Sequence, residues 1–159
     1  MIKILRADIS DLELVKATRL ESLRESPDTF TSSLEIEQEF TNEQWLERMA
    51  RSQYFLALDG ETPVGIACCI EQDEYPNNKR KLVSMWIDPN YRNQNLGSDL
   101  IDDAINWAKE NDISEIELDV FEKNLGAKKL YEKKGFVMTR DNNTFEGYPG
   151  FYHTYVLKV

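Results

Sequence analysis

In the stretch WIDPNYRNQNLGSDL, residues 86–100, an apolar strand meets Asp88-Pro89, a turn rich in Asn and Gly follows, and a helix begins at Leu96. Proline cannot donate to a sheet ladder, so the strand that starts near Lys81 stops at Ile87. From Leu96 onward, Leu100, Ile101, Ala104, Ile105, Trp107 and Ala108 recur at helical spacing, with Asp99, Asp102, Asp103 and Lys109 between them. A helix start carries unsatisfied N–H donors and a partial positive charge, so this turn, with Arg92 nearby, can hold a diphosphate. Asn95 and Gly97 equally suit a tight strand-to-helix turn with no ligand at all.

Outward from that turn the chain alternates between short elements. Residues 2–6 read as a strand, and Ser10 with Glu13 as a capping box opening a helix through about Leu23. The stretch 25–39 lacks periodicity and reads as a loop, after which Thr41 and Gln44 cap a helix over 42–50. Tyr54–Leu58 pairs across Asp59-Gly60 with the alternating Val64, Ile66, Cys68 and Ile70, and YPNN at 75–78 turns the chain into strand 81–87. Beyond the long helix, Ile116, Leu118 and Val120 alternate as a strand, residues 124–134 form a helix closed by Gly135, and strands cover roughly 136–141 and 151–158. The order βααβββαβαββ predicts an α/β fold, a mixed and mostly antiparallel central sheet with helices on both faces. Neither repeat nor linker divides the chain, so residues 1–159 are expected to form one domain.

Composition narrows the function classes. With 29 Asp and Glu against 19 Lys and Arg, the net charge of -10 argues against nucleic acid as a partner. Cys68 and Cys69 are adjacent on a strand and point to opposite faces, so they cannot pair with each other, which fits a cytoplasmic setting. No apolar run approaches the ~20 residues that cross a bilayer, so no membrane partner is expected. No metal-ligand spacing is present.

A second informative segment is LDVFEKNLGAKKLYEKKGF, residues 118–136, where Asn124 can cap a helix and Gly135 can end it. Tyr131 could serve there simply as a core aromatic with a peripheral hydroxyl. Together the two segments resemble the GNAT superfamily of N-acetyltransferases. Its cofactor turn reads Arg/Gln-x-x-Gly-x-Gly/Ala, and its later segment reads Asn-x-x-Ala-x-x-Leu-Tyr-x-x-x-Gly-Phe. Asn124, Ala127, Leu130, Tyr131, Gly135 and Phe136 match the later pattern throughout. Arg92 and Gly97 match the first, but Asn95 stands where glycine is usual. Asparagine tolerates positive φ best after glycine, so the turn can keep its shape while a side chain crowds the diphosphate.

The resemblance implies acetyl-coenzyme A as cosubstrate, no metal, and transfer of the acetyl group by direct attack of a primary amine on a small molecule or peptide. The competing reading is a catalytically silent acyl-coenzyme A binding module, which Asn95 favours. The resemblance also implies that backbone groups of Met85, Trp86 and Ile87 lie beside the pantetheine. Arg92, Asn93, Gln94, Asn95, Leu96, Gly97 and Ser98 would cradle the diphosphate, and Asn124 would contact cofactor or acceptor. Tyr131 matches the family's proton donor to the thiolate, a role a phenol fills because it holds its proton at neutral pH. Strand 81–87 contains no carboxylate or histidine to act as general base, and Asp119 is the first candidate for that role. That residue alternates away from Leu118 and Val120, and it matches a carboxylate used by relatives similar to the ribosomal-protein alanine acetyltransferase. Glu71, Asp73 and Glu74 could relay a proton through water, whereas His153 reads as a strand surface residue. The acceptor is expected between loop 25–40 and residues 146–151, where Phe30, Glu35, Glu37 and Glu39 suit an amine beside an apolar group. Relatives occur as monomers or homodimers, and both remain open for this chain.

Overall fold

The computed structural model describes residues 1–159 apart from the side chain of Pro149. Seven strands, β1 (Ile2–Arg6), β2 (Ser52–Asp59), β3 (Thr62–Ile70), β4 (Lys79–Ile87), β5 (Glu115–Phe121), β6 (Val137–Phe145) and β7 (Tyr148–Lys158), form one sheet in the order β1-β2-β3-β4-β5-β7-β6. All neighbours are antiparallel except β4 and β5, which run parallel. A parallel pair needs a crossover, and the amphipathic stretch after the Asn-rich turn supplies it, spanning Leu96–Glu110.

Four other helices complete the fold: α1 (Leu12–Glu25), α2 (Leu34–Glu37), α3 (Asn42–Ala50) and, after the crossover helix α4 (Leu96–Glu110), α5 (Leu125–Lys133). The sheet separates two apolar clusters. On one face Leu100, Ile101 and Ala104 of α4 pack on Phe55, Cys69, Leu82, Leu118 and Val120. On the other, Val15 and Leu23 of α1 and Met49 of α3 pack on Leu56, Ile66, Cys68 and Trp86. Cys68 and Cys69 thus fall in different clusters, as the two-residue period of a strand requires. The mixed sheet with helices on both faces agrees with the expected fold class.

Three local expectations are corrected. The first capping box belongs to Asp8 and Asp11, not to Ser10 and Glu13. Asp8 Oδ1 accepts from the Ser10 N–H at 2.8 Å and Asp11 Oδ2 from the Asp8 N–H at 2.9 Å, around a 3-10 turn that delays α1 to Leu12. The stretch 25–39 is not all loop, because Ser33 caps the single turn of α2. The last two strands are longer than expected and meet at Gly147, whose φ is 82°. Strand β6 is the sheet edge and mostly exposed, so its MTRDNNT run shows no apolar alternation to read. The Thr41 and Gln44 box stands as expected, with reciprocal bonds of 3.1 and 2.8 Å.

Candidate active site

The ladder between β4 and β5 covers only Lys79–Lys81 against Glu115–Glu117. Past that point β4 carries a bulge. Its register with β3 passes from Cys68 opposite Val83 to Ile66 opposite Trp86, so Ser84 and Met85 together face Ala67, and Ser84 takes a φ of 61°. A bulge leaves one residue outside the ladder and re-aims the strand, and bulges gather where a sheet must present backbone to a ligand. Here it opens onto a cavity of about 620 Å³ walled by β4, β5, α5 and the loop after α1.

Tyr131 lines that cavity from α5. Its ring packs edge-on against Phe136 at 5.7 Å, and burial pushes its phenol up to about 12, so the hydroxyl holds its proton throughout the neutral range. Asn124 lines the same wall and caps α5, its Oδ1 accepting from the Ala127 N–H at 3.2 Å. Asp119 lines the cavity from β5. One of its oxygens accepts from the Thr154 hydroxyl at 2.6 Å and the other lies 2.7 Å from the Lys81 ammonium. Thr154 is fully buried and itself accepts from Asn143 Nδ2 at 2.6 Å, which fixes the carboxylate in place.

The turn after β4 has the backbone the sequence suggested. Asn93 and Asn95 both take left-handed conformations, with φ of 63° and 64°, and Asn95 makes no side-chain bond to the first turn of α4. The leading N–H groups of a four-turn helix therefore keep their capacity to meet an anion. Leu96 is buried beneath the turn, while Gln94 is exposed and Ser98 half-buried. Gly97 has a packing reason to be small, since a Cβ there would stand 3.3 Å from Leu130 of α5.

Other expected residues lie away from the cavity. The Arg92 guanidinium turns toward the end of α1, where it bonds Glu25 at 3.0 Å and the Ile87 carbonyl at 2.9 Å. Trp86 buries its ring against α1 and donates Nε1–H to Glu25 at 2.7 Å, and Met85 alone of 85–87 lines the cavity. Glu71 and Asp73 pair with Arg51 on the surface, at 3.6 and 2.6 Å. His153 has its Nδ1 buried without a partner and does not line the cavity. Glu35 and Glu39 are exposed, whereas Glu37 is fully buried between Arg19 and Arg48 and offers no charge to a ligand. Phe30 does reach the cavity, stacked under the Arg19 guanidinium at 4.7 Å.

Sequence reasoning passed over Ser84, Lys81 and the aromatic wall of Phe121, Phe145 and Tyr152. A serine inside the apolar run LVSMW was the available sign of the bulge. Lys81 shares the sheet face of Val83 by simple alternation, but its pairing with Asp119 is a cross-strand contact that no local pattern announces. Among the described residues no cluster of His, Cys, Asp and Glu could hold a metal ion, and no helix is long and apolar enough to cross a membrane.

A family model described as Acetyltransferase (GNAT) family matches residues 19–136. N-alpha-acetyltransferase 30 of Homo sapiens is 35% identical over 95 residues, which are 59% of this chain and 26% of that protein. The chain therefore spans about a quarter of that relative's length. The crystal structure of an acetyltransferase of GNAT family from Streptococcus pneumoniae superposes with a TM-score of 0.82 at 24% identity, covering 100% of both chains. That of the PaiA N-acetyltransferase from Thermoplasma acidophilum, in complex with coenzyme A, gives 0.74 at 20%, covering 100% of this chain and 99% of the other.

Proposed function

The chain belongs to the GNAT family of acetyltransferases, and we propose that it transfers the acetyl group of acetyl-coenzyme A to a primary amine by direct attack. The observation that carries this reading is the meeting of Tyr131 and Asp119 in one cavity beside the Ser84 bulge. The residues present suit the cosubstrate. The bulge and Met85 offer backbone to an extended pantetheine, and the left-handed Asn93 and Asn95 set the start of α4 toward a diphosphate. Trp86 and Ile87 would contribute through their backbone, with Leu96, Gly97 and Ser98 supplying the first turn of the helix. Arg92 would need to leave Glu25 to reach a phosphate.

The chain's own groups then divide the proton work. Asp119 takes a proton from the acceptor ammonium, and the freed amine nitrogen bonds to the acetyl carbonyl carbon. The carbon–sulfur bond breaks, Tyr131 gives its proton to the departing thiolate, the second proton of the acylated nitrogen passes to the Tyr131 phenolate and restores the phenol, and the proton held by Asp119 leaves to solvent. No other reactant is required. Tyr131, in the cavity wall with its phenol holding its proton at neutral pH, weighs against a silent binding module, which needs the cofactor turn but no proton donor. Cysteines that are free and buried support a cytoplasmic setting.

The test is thiol release from acetyl-coenzyme A by the purified protein against amino acids, polyamines, aminoglycosides and short peptides, with thermal stability measured alongside. Turnover of one acceptor is expected, together with stabilisation by the cosubstrate. Stabilisation with no turnover of any amine would leave the silent module; neither response would reject both readings.

A further inference from the structure

Resting on that transfer reading, we propose that the acceptor is a free α-amino acid with a large apolar side chain, recognised as a zwitterion by Asp119 and Lys81. The two charges stand 2.7 Å apart in the cavity wall, with 14% and 20% of their side chains exposed, and among the described residues Asp119 is the one acidic partner of Lys81. A lone ammonium entering here is drawn to Asp119 but repelled by the adjoining lysine. A polyamine fares worse, because its second cation meets that same lysine. An α-amino acid resolves the conflict: its ammonium goes to Asp119 and its carboxylate to Lys81, so every charge keeps a partner. The other charges on the wall, Asp28 and Lys123, are one of each sign and favour neither a cation nor an anion.

The exchange also has a chemical consequence. At rest Lys81 occupies the oxygen of Asp119 that is not taken by Thr154. A substrate carboxylate that draws Lys81 aside frees that oxygen to accept the ammonium proton, so the correct acceptor prepares its own base. Beside the pair stand Phe121, Phe145 and Tyr152, with Tyr152 5.4 Å from Phe121 and 4.8 Å from Phe145, centre to centre, and Lys81 6.0 Å from the Phe145 ring. This wall gives an apolar amino-acid side chain an aromatic surface to cover.

The experiment measures thiol release for phenylalanine, phenylalaninamide, phenethylamine and spermidine, by the native chain and by Lys81→Met, with acetyl-coenzyme A stabilisation as a separate readout. Phenylalanine should exceed phenethylamine roughly 100-fold or more in kcat/KM, because the amine leaves Lys81 without a partner. In Lys81→Met that ratio should collapse to within about threefold. If phenylalaninamide matches phenylalanine, a peptide N-terminus is the acceptor and the inference is overturned. Preferred turnover of spermidine or phenethylamine overturns it too, while leaving the transfer reading intact. Absence of turnover with all four, despite stabilisation by acetyl-coenzyme A, rejects the amino-acid assignment; the native panel decides even if Lys81→Met does not fold.

Discussion

Asp119 and Tyr131 reach one cavity from opposite faces of the sheet. Leu118 and Val120 pack with Tyr131 in the cluster beneath α4, and Asp119, between them, points the other way to Thr154 and Lys81. The two side chains can share a space because the β4–β5 ladder ends at Lys81 and Glu117. In the proposed roles, with Asp119 accepting a proton on one side of the gap and Tyr131 donating one on the other, the arrangement suits a reaction whose nucleophile and leaving group lie on different sides of a carbonyl carbon.

The pH profile should have no alkaline fall in the ordinary tyrosine range. Burial pushes the Tyr131 phenol up to about 12, so the hydroxyl keeps its proton well above pH 10 and, as the proposed acid, stays able to donate it. The sign is that of a group whose neutral form the fold favours: its contribution is complete below the unfolded value and fades only as pH rises through the folded one. Measured kcat should hold between pH 9 and about 10.5; a decline centred near 10 would mean that the phenol is solvated.

Asn95 is expected to reward glycine and punish alanine. At φ 64° the left-handed backbone disfavours alanine by about 1–2 kcal/mol, so Asn95→Ala should lower the thermal midpoint. Asn95→Gly should keep it and tighten acetyl-coenzyme A binding by removing a side chain from the turn. Calorimetry on both variants checks the pair, and equal stability of Ala and Gly would contradict the left-handed turn.

Glu37 anchors the segment that carries Phe30. Arg19 grips the carboxylate with two bonds of 3.0 Å and Arg48 adds one of 3.2 Å, all within the α1, α2 and α3 packing. Removing one member of such a buried pair strands the other, so Glu37→Ala should cost about 3–5 kcal/mol in denaturant unfolding. Burial alone would raise this carboxyl, but the two arginines pull it below the usual carboxylate range. A lowered folded value means that its stabilisation is present above the unfolded value and is lost as pH falls through the folded one. The native chain should therefore lose stability below about pH 4.5, and Glu37→Gln should lose less over that interval.

Gly150 sets the aromatic wall. A Cβ there would stand 2.3 Å from Phe121 Cε2, and the residue has a φ of 90°, so Gly150→Ala must displace the ring. Acceptor KM should rise severalfold while that for acetyl-coenzyme A stays put, in steady-state kinetics varying each substrate. An unchanged acceptor KM would remove Phe121 from the acceptor side.

Apart from α2, the element order was legible because α4 carries an amphipathic stripe, Thr41 with Gln44 caps α3, and the inner strands are short apolar runs bounded by turn residues. Tyr131 and the left-handed Asn95 were legible through local motifs and backbone preference. What lay outside reach were contacts between segments remote in sequence. Arg92 turning to Glu25, Glu37 closing on Arg19, and Lys81 occupying Asp119 depend on which strands and helices become neighbours. Periodicity within one segment does not report them. The Ser84 bulge is intermediate, visible as a polar residue in an apolar strand but fixed by its register with β3.

The most direct measurement compares native chain and Tyr131→Phe in thiol release with the best acceptor, with acetyl-coenzyme A stabilisation measured on both. The substitution keeps the ring against Phe136 and removes only the hydroxyl. Loss of about 100-fold or more in kcat with unchanged stabilisation is the predicted result. Equal thiol release by the two proteins would contradict the assignment of Tyr131 as the acid.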